Sequence, residues 1–184
     1  MNIFVLHRNP DTAAQMMLDK HVVKMPTESM QMICTIMDLY GFETPMKPVM
    51  LNHPCTIWAR ESSKNFQWLV DHCLALCKEY TVRYGKKHKV EEYMEQYANE
   101  ILETNYVLKN EAGYEYTPFA QAMPDKYKND DVVKAYRNYY LGDKWQFATW
   151  KTNTPEWWPN NHIKNKQQEM ADAFNIKFGA GVKI

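Results

Sequence analysis

The feature that most constrains the fold is a series of apolar residues, spaced as on one face of a helix, in the middle of the chain. Phe66, Val70 and Cys73 follow one another at intervals of four and three residues. This spacing is typical of a helix with one buried face, whereas a half-buried strand would alternate apolar and polar residues. Gly85 is a common helix stop, so the pattern predicts a long helix over residues 55–84.

Two other long helices are predicted on either side of it. The first runs from about residue 11 to Tyr40, and Pro26 inside it predicts a kink or two abutting helices. The last runs from about residue 131 to Trp150. No segment shows a convincing strand pattern. The sequence therefore predicts a mainly α, single-domain compact bundle of about three long helices plus short helices, with a kinked first helix.

The length of 184 residues fits one domain with a sizeable core. We expect residues 1–158 to form this domain and residues 159–184 to be a polar C-terminal tail with a short helix near residues 167–174. No run approaches the roughly 18 apolar residues of a membrane span, and the first residues do not begin a signal peptide. We therefore expect a cytoplasmic protein without a membrane partner, whose four cysteines are reduced thiols in the core.

The net charge is zero, but charge is distributed unevenly along the chain. Residues 60–89 and 126–151 carry more basic than acidic side chains, whereas residues 90–116 are strongly acidic. A local basic surface for phosphates is compatible with this pattern. The strong non-specific affinity of a highly basic protein for duplex DNA is not.

The candidate chemistry lies on a polar stripe of the first long helix. Lys20, His21, Lys24 and Glu28 share one face at helical spacing, opposite the apolar residues. A carboxylate and an imidazole so placed can act as a general acid, a base or a cation stabiliser, and the lysines can hold phosphate oxygens. The alternative is a solvated helix face on which Lys24 and Glu28 form an ordinary i,i+4 pair.

A second candidate lies at the junction of a loop and the predicted middle helix. His53 precedes the helix start, and Arg60 follows about two turns later. A helix N-terminus favours anions, and an arginine adds a bidentate phosphate donor. The alternative is that His53 only caps the helix.

Aromatic and basic residues alternate near the C-terminal end of the predicted domain. Arg137 and Lys144 are interleaved with tyrosines and tryptophans, and Trp157 and Trp158 follow a proline. Such mixtures form surfaces that stack on bases and track phosphates. The same helical spacing equally describes packing in a core.

The sequence predicts no metal site and no cofactor. Cys73 and Cys77 lie beside His72, but a structural zinc site needs four ligands and no second pair appears. No phosphate-binding loop, dinucleotide motif or nucleophilic triad is present either.

Several of these motifs occur in an order that resembles a known family. Asp19-Lys20-His21, then Glu28, then Asn52-His53 and finally Pro155-Glu156-Trp157-Trp158 resemble the phage pyrimidine-dimer DNA glycosylases of the endonuclease V type. The similarity spans about residues 1–158. The chain also resembles a group of phage proteins with DKHVVKM-, NHP- and AYRNYY-type stretches, which implies a location inside the infected host cell.

The resemblance implies an all-helical domain that excises a base from DNA, with Glu28 as the catalytic carboxylate and His21 beside it. In that family the free N-terminal amine attacks the sugar C1′ and forms an imine, after the initiator methionine has been removed before a small residue. Asn2 is a poor context for that removal. Lys20 and Lys24 would replace the family's arginines, and the chain is neutral where the family is basic. These departures imply a changed substrate, such as a modified base or a nucleotide.

The sequence therefore predicts an enzyme that cleaves or substitutes at a nucleobase or deoxyribose, with DNA or a nucleotide as its substrate. One alternative is a phage DNA-base modifying transferase or a nucleotide hydrolase. Another is a non-catalytic module that binds nucleic acid or a host protein.

Overall fold

The computed structural model describes residues 1–178, and within them all regular secondary structure is helical. This confirms the predicted mainly α class. Eight α-helices follow one another in these residues: α1 Pro10–Met16, α2 Asp19–Leu39, α3 Pro54–Arg60, α4 Ser63–Tyr84, α5 Lys89–Gln96, α6 Ala98–Glu111, α7 Val132–Tyr139 and α8 His162–Phe178. Between α7 and α8 the chain forms a π-helical turn, Tyr140–Lys144, and a 3-10 turn, Trp145–Phe147. A further 3-10 turn, Asp125–Tyr127, precedes α7.

The core lies between α2 and α4, and α1 packs on α4 beside them. Phe66 and Cys73 on α4 are fully buried, as their helical spacing predicts, and so are Met30 and Ile33 on α2. All four cysteines are buried and free. Within residues 1–178, none of the helices combines the length and the hydropathy that a membrane span requires.

The start and end of α4 follow from local chemistry. The Ser62 side chain accepts a hydrogen bond from the Asn65 amide at 3.2 Å, which caps the first turn. Gly85 ends the helix with a φ of 68°, in the left-handed region that glycine adopts at little cost. The cap at Ser62 also divides the predicted 55–84 helix, because the extended Ser62 separates α3 from α4.

The predicted first helix is interrupted earlier than Pro26. Met17 and Leu18 are extended and separate α1 from α2, while Pro26 lies inside α2. The C-terminal carbonyls of α1 cannot find helical partners at this break. The Arg83 guanidinium replaces those partners, since it donates to the carbonyl oxygens of Gln15 and Met17 at 3.0 and 2.8 Å.

The last predicted helix and the tail also differ from expectation. Regular α-helix ends at Tyr139, and the π-helical turn carries the chain on to Lys144. The tail helix is longer than the predicted 167–174 segment, because α8 spans His162–Phe178. Its first residue is attached to the π-helical turn by a hydrogen bond of 2.7 Å between Nε2 of His162 and the Leu141 carbonyl oxygen. The end of the predicted tail, residues 179–184, lies outside the described residues.

Candidate active site

A small polar cavity of about 170 Å³ lies where the N-terminal residues meet α2 and the π-helical turn. Its lining comes from three parts of the chain: Met1, Asn2 and Phe4; His21, Lys24, Met25 and Glu28; Tyr139 and Lys144. Three residues of the polar stripe predicted on the first long helix, His21, Lys24 and Glu28, therefore line a concave surface. Glu28 and His21 are buried, which distinguishes this face from a solvated one.

Glu28 is paired with two cations at this cavity. Its Oε2 lies 3.4 Å from the Met1 N-terminal nitrogen, and its Oε1 lies 2.8 Å from Nζ of Lys24. The Lys24 side chain is 69% exposed, whereas that of Glu28 is 12% exposed. The carboxylate is thus held between an amine inside the cavity and a lysine at its solvent-facing side.

The position of the amine is fixed by the packing of the first residues. The Met1 side chain is 4% exposed, and its sulfur accepts a hydrogen bond from Oγ1 of Thr56 at 3.8 Å. Asn2 is buried and ties the segment down, because its Nδ2 donates to the Ala122 carbonyl oxygen at 2.7 Å. Its Oδ1 accepts from the amide of Ile3 at 2.8 Å. The terminal amine therefore lies on an anchored segment beside Glu28.

Phe4 adopts an unusual backbone conformation next to the cavity. Its φ is 37°, in the left-handed region that costs a residue with a side chain about 1–2 kcal/mol. Its amide is held by Oδ1 of Asn2 at 3.2 Å, and its ring stacks on His21 with the centroids 4.3 Å apart. The strained backbone is thus coupled to the placement of the imidazole.

His21 is enclosed by aromatic residues and is neutral at neutral pH. Burial, together with the positive charges of Lys144 and Lys24, lowers its pKa to about 3. Its Nδ1 lies 2.6 Å from the Tyr140 hydroxyl oxygen. Since the imidazole does not carry a charge, it can offer a hydrogen bond at the cavity but no cationic acid.

Comparison with known proteins places part of this chain, including most of the cavity lining, in a known family. The family model of pyrimidine dimer DNA glycosylases matches residues 1–92, which are 92 of the 184 residues. The chain belongs to this family. No match was found among curated proteins or among solved structures.

The part of the chain that matches the family model contains seven of the nine residues that line the cavity, among them Met1, His21 and Glu28. Tyr139 and Lys144 line the cavity from outside the matched residues, and Tyr140, which also lies outside them, contacts His21. The Lys144 ammonium also lies 4.5 Å from the ring centroid of Tyr139, which keeps it over the cavity wall. The family match therefore covers the N-terminal and α2 residues of the cavity, but not the part of its wall that follows residue 92.

His53 lies near enough to the Met1 amine and Glu28 for their charges to act on it, but it does not line the cavity. It caps α3, since its Nδ1 accepts from the Cys55 amide at 3.1 Å, as the alternative interpretation expected. Burial lowers its pKa, and so does the charge of the Met1 amine, whereas Glu28 raises it. Its phosphate-binding role stays a prediction.

The remaining predicted cations lie away from the cavity lining. Lys20 places its ammonium 5.1 Å from the Phe147 ring centroid. Arg60 donates to the Leu51 carbonyl oxygen at 3.0 Å. Arg137 donates from Nε to the Leu6 carbonyl oxygen at 3.1 Å, so part of its guanidinium holds the chain itself.

The two tryptophans predicted to stack on bases are packed within the protein. Trp158 is 6% exposed and lies against Trp150 and His162. Trp157 is half-buried beneath the Arg137 guanidinium, at 5.3 Å from its ring centroid. The structure does not bring either ring to the cavity lining, and their base-stacking role stays a prediction.

Sequence reasoning missed the aromatic wall of the site. Tyr140 lies 119 residues from His21 in sequence, and no local spacing could pair them. Phe4 lies in a short apolar segment without helical periodicity, so nothing in the pattern distinguishes it from a core residue. The sequence did contain the signal for Lys144, because it was among the predicted phosphate ligands.

Larger clefts exist elsewhere, and none of those described joins a buried carboxylate to an amine. One of about 470 Å³ is lined by Trp68, Phe119 and Arg8. Another, of about 510 Å³, includes Glu79, whose carboxylate is already bonded to Arg83 at 2.7 Å. Within residues 1–178 no group of three acidic, cysteine or histidine side chains is placed to hold a metal ion.

Proposed function

We propose that this protein excises a damaged pyrimidine base from DNA, with Glu28 as the catalytic carboxylate and the Met1 amine as the nucleophile. The observation that carries the proposal is the amine 3.4 Å from the Glu28 carboxylate in a polar cavity. Membership of the pyrimidine dimer DNA glycosylase family supports the same reaction class.

The proposed chemistry uses each group at a stated step. Glu28 accepts a proton from the Met1 ammonium, and the free amine attacks C1′ of the deoxyribose, so that an N–C bond forms as the glycosidic bond breaks. The base leaves with the bonding electron pair and takes up the proton that the attacking nitrogen loses. The C1′–O4′ bond of the sugar then breaks as the nitrogen lone pair forms a protonated imine, and O4′ receives the proton held by Glu28. The restored Glu28 carboxylate stabilises the positive charge of the imine.

The anchored Met1 side chain supports a nucleophile that differs from the one the family resemblance implies. Removal of Met1 would leave an amine on Asn2, whose side chain is committed to Ala122 and Ile3. We propose that Met1 is retained and that its buried side chain aims the amine at the cavity. Lys24 and Lys144, which line the cavity, together with Lys20, would hold the DNA phosphates.

The reaction is tested with duplex oligonucleotides that contain one thymine dimer, one uracil or one abasic site. We expect base release or strand cleavage by the wild-type protein on dimer DNA. Glu28→Gln should lower the rate about 1,000-fold, within the range typical of a lost acid–base or charge-stabilising group. Glu103→Gln, an exposed carboxylate on α6, is the matched control and should keep the wild-type rate.

Two results would overturn this proposal. The first is a Glu28→Gln protein that folds and keeps the wild-type rate. The second is a wild-type protein that releases no base from any of the three duplexes, in which case binding without turnover would favour a non-catalytic module.

The nucleophile is tested separately by borohydride reduction of the protein with abasic-site DNA. We expect a covalent adduct, and peptide mass spectrometry should place it on the amine of Met1. An adduct on a lysine side chain would refute the assignment of Met1, and base release without any adduct would leave Glu28 activating water instead.

A further inference from the structure

A hydrogen bond joins the Tyr140 hydroxyl to the imidazole of His21. Tyr140 is fully buried, and its hydroxyl oxygen lies 2.6 Å from Nδ1 of His21. Burial raises the pKa of Tyr140 well above the ordinary value, so the phenol keeps its proton and has a hydrogen to donate.

The acceptor of that hydrogen decides the tautomer of the imidazole. Within residues 1–178, Nδ1 of His21 is the acceptor that the Tyr140 hydroxyl reaches. A neutral imidazole whose Nδ1 accepts a hydrogen bond carries its proton on Nε2. His21 is neutral because burial lowers its pKa to about 3.

The second ring nitrogen is the one that remains open to a ligand. Across the described residues, Nε2 of His21 has no protein partner at hydrogen-bond distance, and it is not among the fully enclosed unpaired atoms. His21 lines the cavity that also holds Glu28. An N–H group at this position therefore faces the space in which a substrate would lie.

The π-helical turn explains why Tyr140 reaches this position. Tyr140 begins the turn and Lys144 ends it. Tyr140 is hydrogen-bonded to His21, and Lys144 lines the same cavity as His21. The hydrogen bonds of a π-helical turn span five residues instead of the four of an α-helix, and such turns are frequent at functional sites. The start of the turn thus places the Tyr140 hydroxyl against the His21 imidazole, and its end places Lys144 in the cavity lining.

We propose that Tyr140 is a positioning residue that holds His21 in the Nε2–H tautomer, so that the imidazole donates a hydrogen bond to an oxygen atom of the bound nucleotide. This inference rests on the proposed function for its substrate, though not for its tautomer. It makes His21 a hydrogen-bond donor and excludes it as the general base, because the Nδ1 lone pair is occupied and Nε2 is protonated.

The tautomer is measured by long-range proton–nitrogen NMR correlation on the full chain with nitrogen-15 histidine at pH 7. The wild-type protein should show His21 protonated on Nε2 only. Tyr140→Phe removes the donor, and the signal should change to a mixture of tautomers or to the Nδ1–H form. A wild-type Nδ1–H form, or an unchanged tautomer in Tyr140→Phe, overturns the proposal.

Tyr136→Phe is the matched control. Tyr136 is also fully buried and packs on Phe4, but its hydroxyl donates to the Ala120 carbonyl oxygen at 2.8 Å instead of to His21. This variant should lose stability and keep the wild-type tautomer. If Tyr140→Phe does not fold, the wild-type spectrum alone still decides whether Nε2 carries the proton.

The consequence for catalysis is read from steady-state kinetics on dimer DNA. Tyr140→Phe should lower kcat about tenfold and change KM less than twofold, because a misplaced donor is lost in the transition state. An unchanged kcat would refute the role of Tyr140 in the reaction. A wild-type protein without base excision would refute the proposed function and leave the tautomer result intact.

Discussion

Asp19 and Glu28 are two carboxylates on α2 with different surroundings. Asp19 is enclosed by protein hydrogen-bond donors, whereas Glu28 borders a cavity. Oδ1 of Asp19 lies 3.0 Å from Nη1 of Arg83 and accepts a second hydrogen bond of 3.0 Å from the Lys151 amide. Glu28 instead contacts a terminal amine and an exposed lysine beside a cavity. A carboxylate enclosed by fixed donors is structural, whereas one with a cavity beside it can act on a ligand.

The difference originates in the partner of each carboxylate. The Arg83 side chain is completely buried and donates to Asp19, to Glu79 at 2.7 Å and to two carbonyl oxygens at the end of α1. Its donors are satisfied by groups that cannot move without unpacking α1 from α4. Among the described residues 1–178, Glu28 is the one ion-pair partner of Lys24, and the lysine is largely exposed, so it can leave the carboxylate at little cost.

The largest expected effect comes from removing the partner of Asp19. Arg83→Met should lower the free energy of unfolding by about 3–5 kcal/mol, because Asp19 and Glu79 would remain buried without their common cation. Urea denaturation at pH 7 measures this loss. A loss below 1 kcal/mol would show that the Asp19 cluster is as loosely held as the Glu28 site.

The second effect concerns pH and compares His21 in the site with His72 in the core. Burial lowers the pKa of His21 to about 3 and that of His72 to about 4, from 6.5. The unfolded chain therefore binds more protons in this range, so stability is fully present above pH 6.5 and falls as the pH decreases toward 4. Each histidine should remove about 2 kcal/mol between pH 7 and pH 5.

Urea denaturation of His72→Leu at the two pH values separates the two histidines. The variant should lose about 2 kcal/mol less than the wild-type protein between pH 7 and pH 5, because one titrating group is gone. Equal losses in both proteins would mean that His72 is already protonated in the folded state or accessible to water.

A smaller effect is expected at the wall of the open site. A Cβ added at Gly142, inside the π-helical turn, would lie 2.1 Å from the hydroxyl oxygen and 2.5 Å from the ring of Tyr127. Gly142→Ala should therefore destabilise the protein by about 1–2 kcal/mol, since the ring must be displaced. The same substitution in a Tyr127→Ala background should have almost no further effect, and an equal loss in both backgrounds would assign the cost to the turn's backbone.

The smallest effect is expected for Lys24→Met. The lysine is largely exposed, and an exposed i,i+4 ion pair contributes less than about 1 kcal/mol. Urea denaturation should show a change of this size that disappears at high salt. A loss comparable to that of Arg83→Met would remove the contrast between the two carboxylates.

The predictable part of the site is the part that lies on one helix. Lys24 and Glu28 were paired by their spacing, and the structure brings their charged atoms to 2.8 Å. Asp19 is visible in the sequence only as part of the Asp19-Lys20-His21 motif, and its partner in the structure is Arg83, 64 residues away in sequence. The spacing of residues along the sequence predicts which side chains share a face of one helix. It does not predict which residues of α2 and α4 come into contact.

The position of the N-terminal segment also could not be predicted from local sequence patterns. The sequence identified Asn2 only as a poor context for methionine removal. Folding gives Asn2 a structural role, since its side chain binds Ala122 and holds the first residues beside α2. The terminal amine, which the sequence could not place, is thereby set against Glu28.

The sequence by itself determined the helical class, the end of α4 at Gly85 and the shared face of His21, Lys24 and Glu28, because these depend on side chains within a few turns. Only the tertiary structure decided that Asp19 is enclosed and that Glu28 borders a cavity. These outcomes depend on which distant groups, Arg83 or the Met1 amine, packing brings to each carboxylate. No local pattern records those distances, because they exist only after the helices have packed.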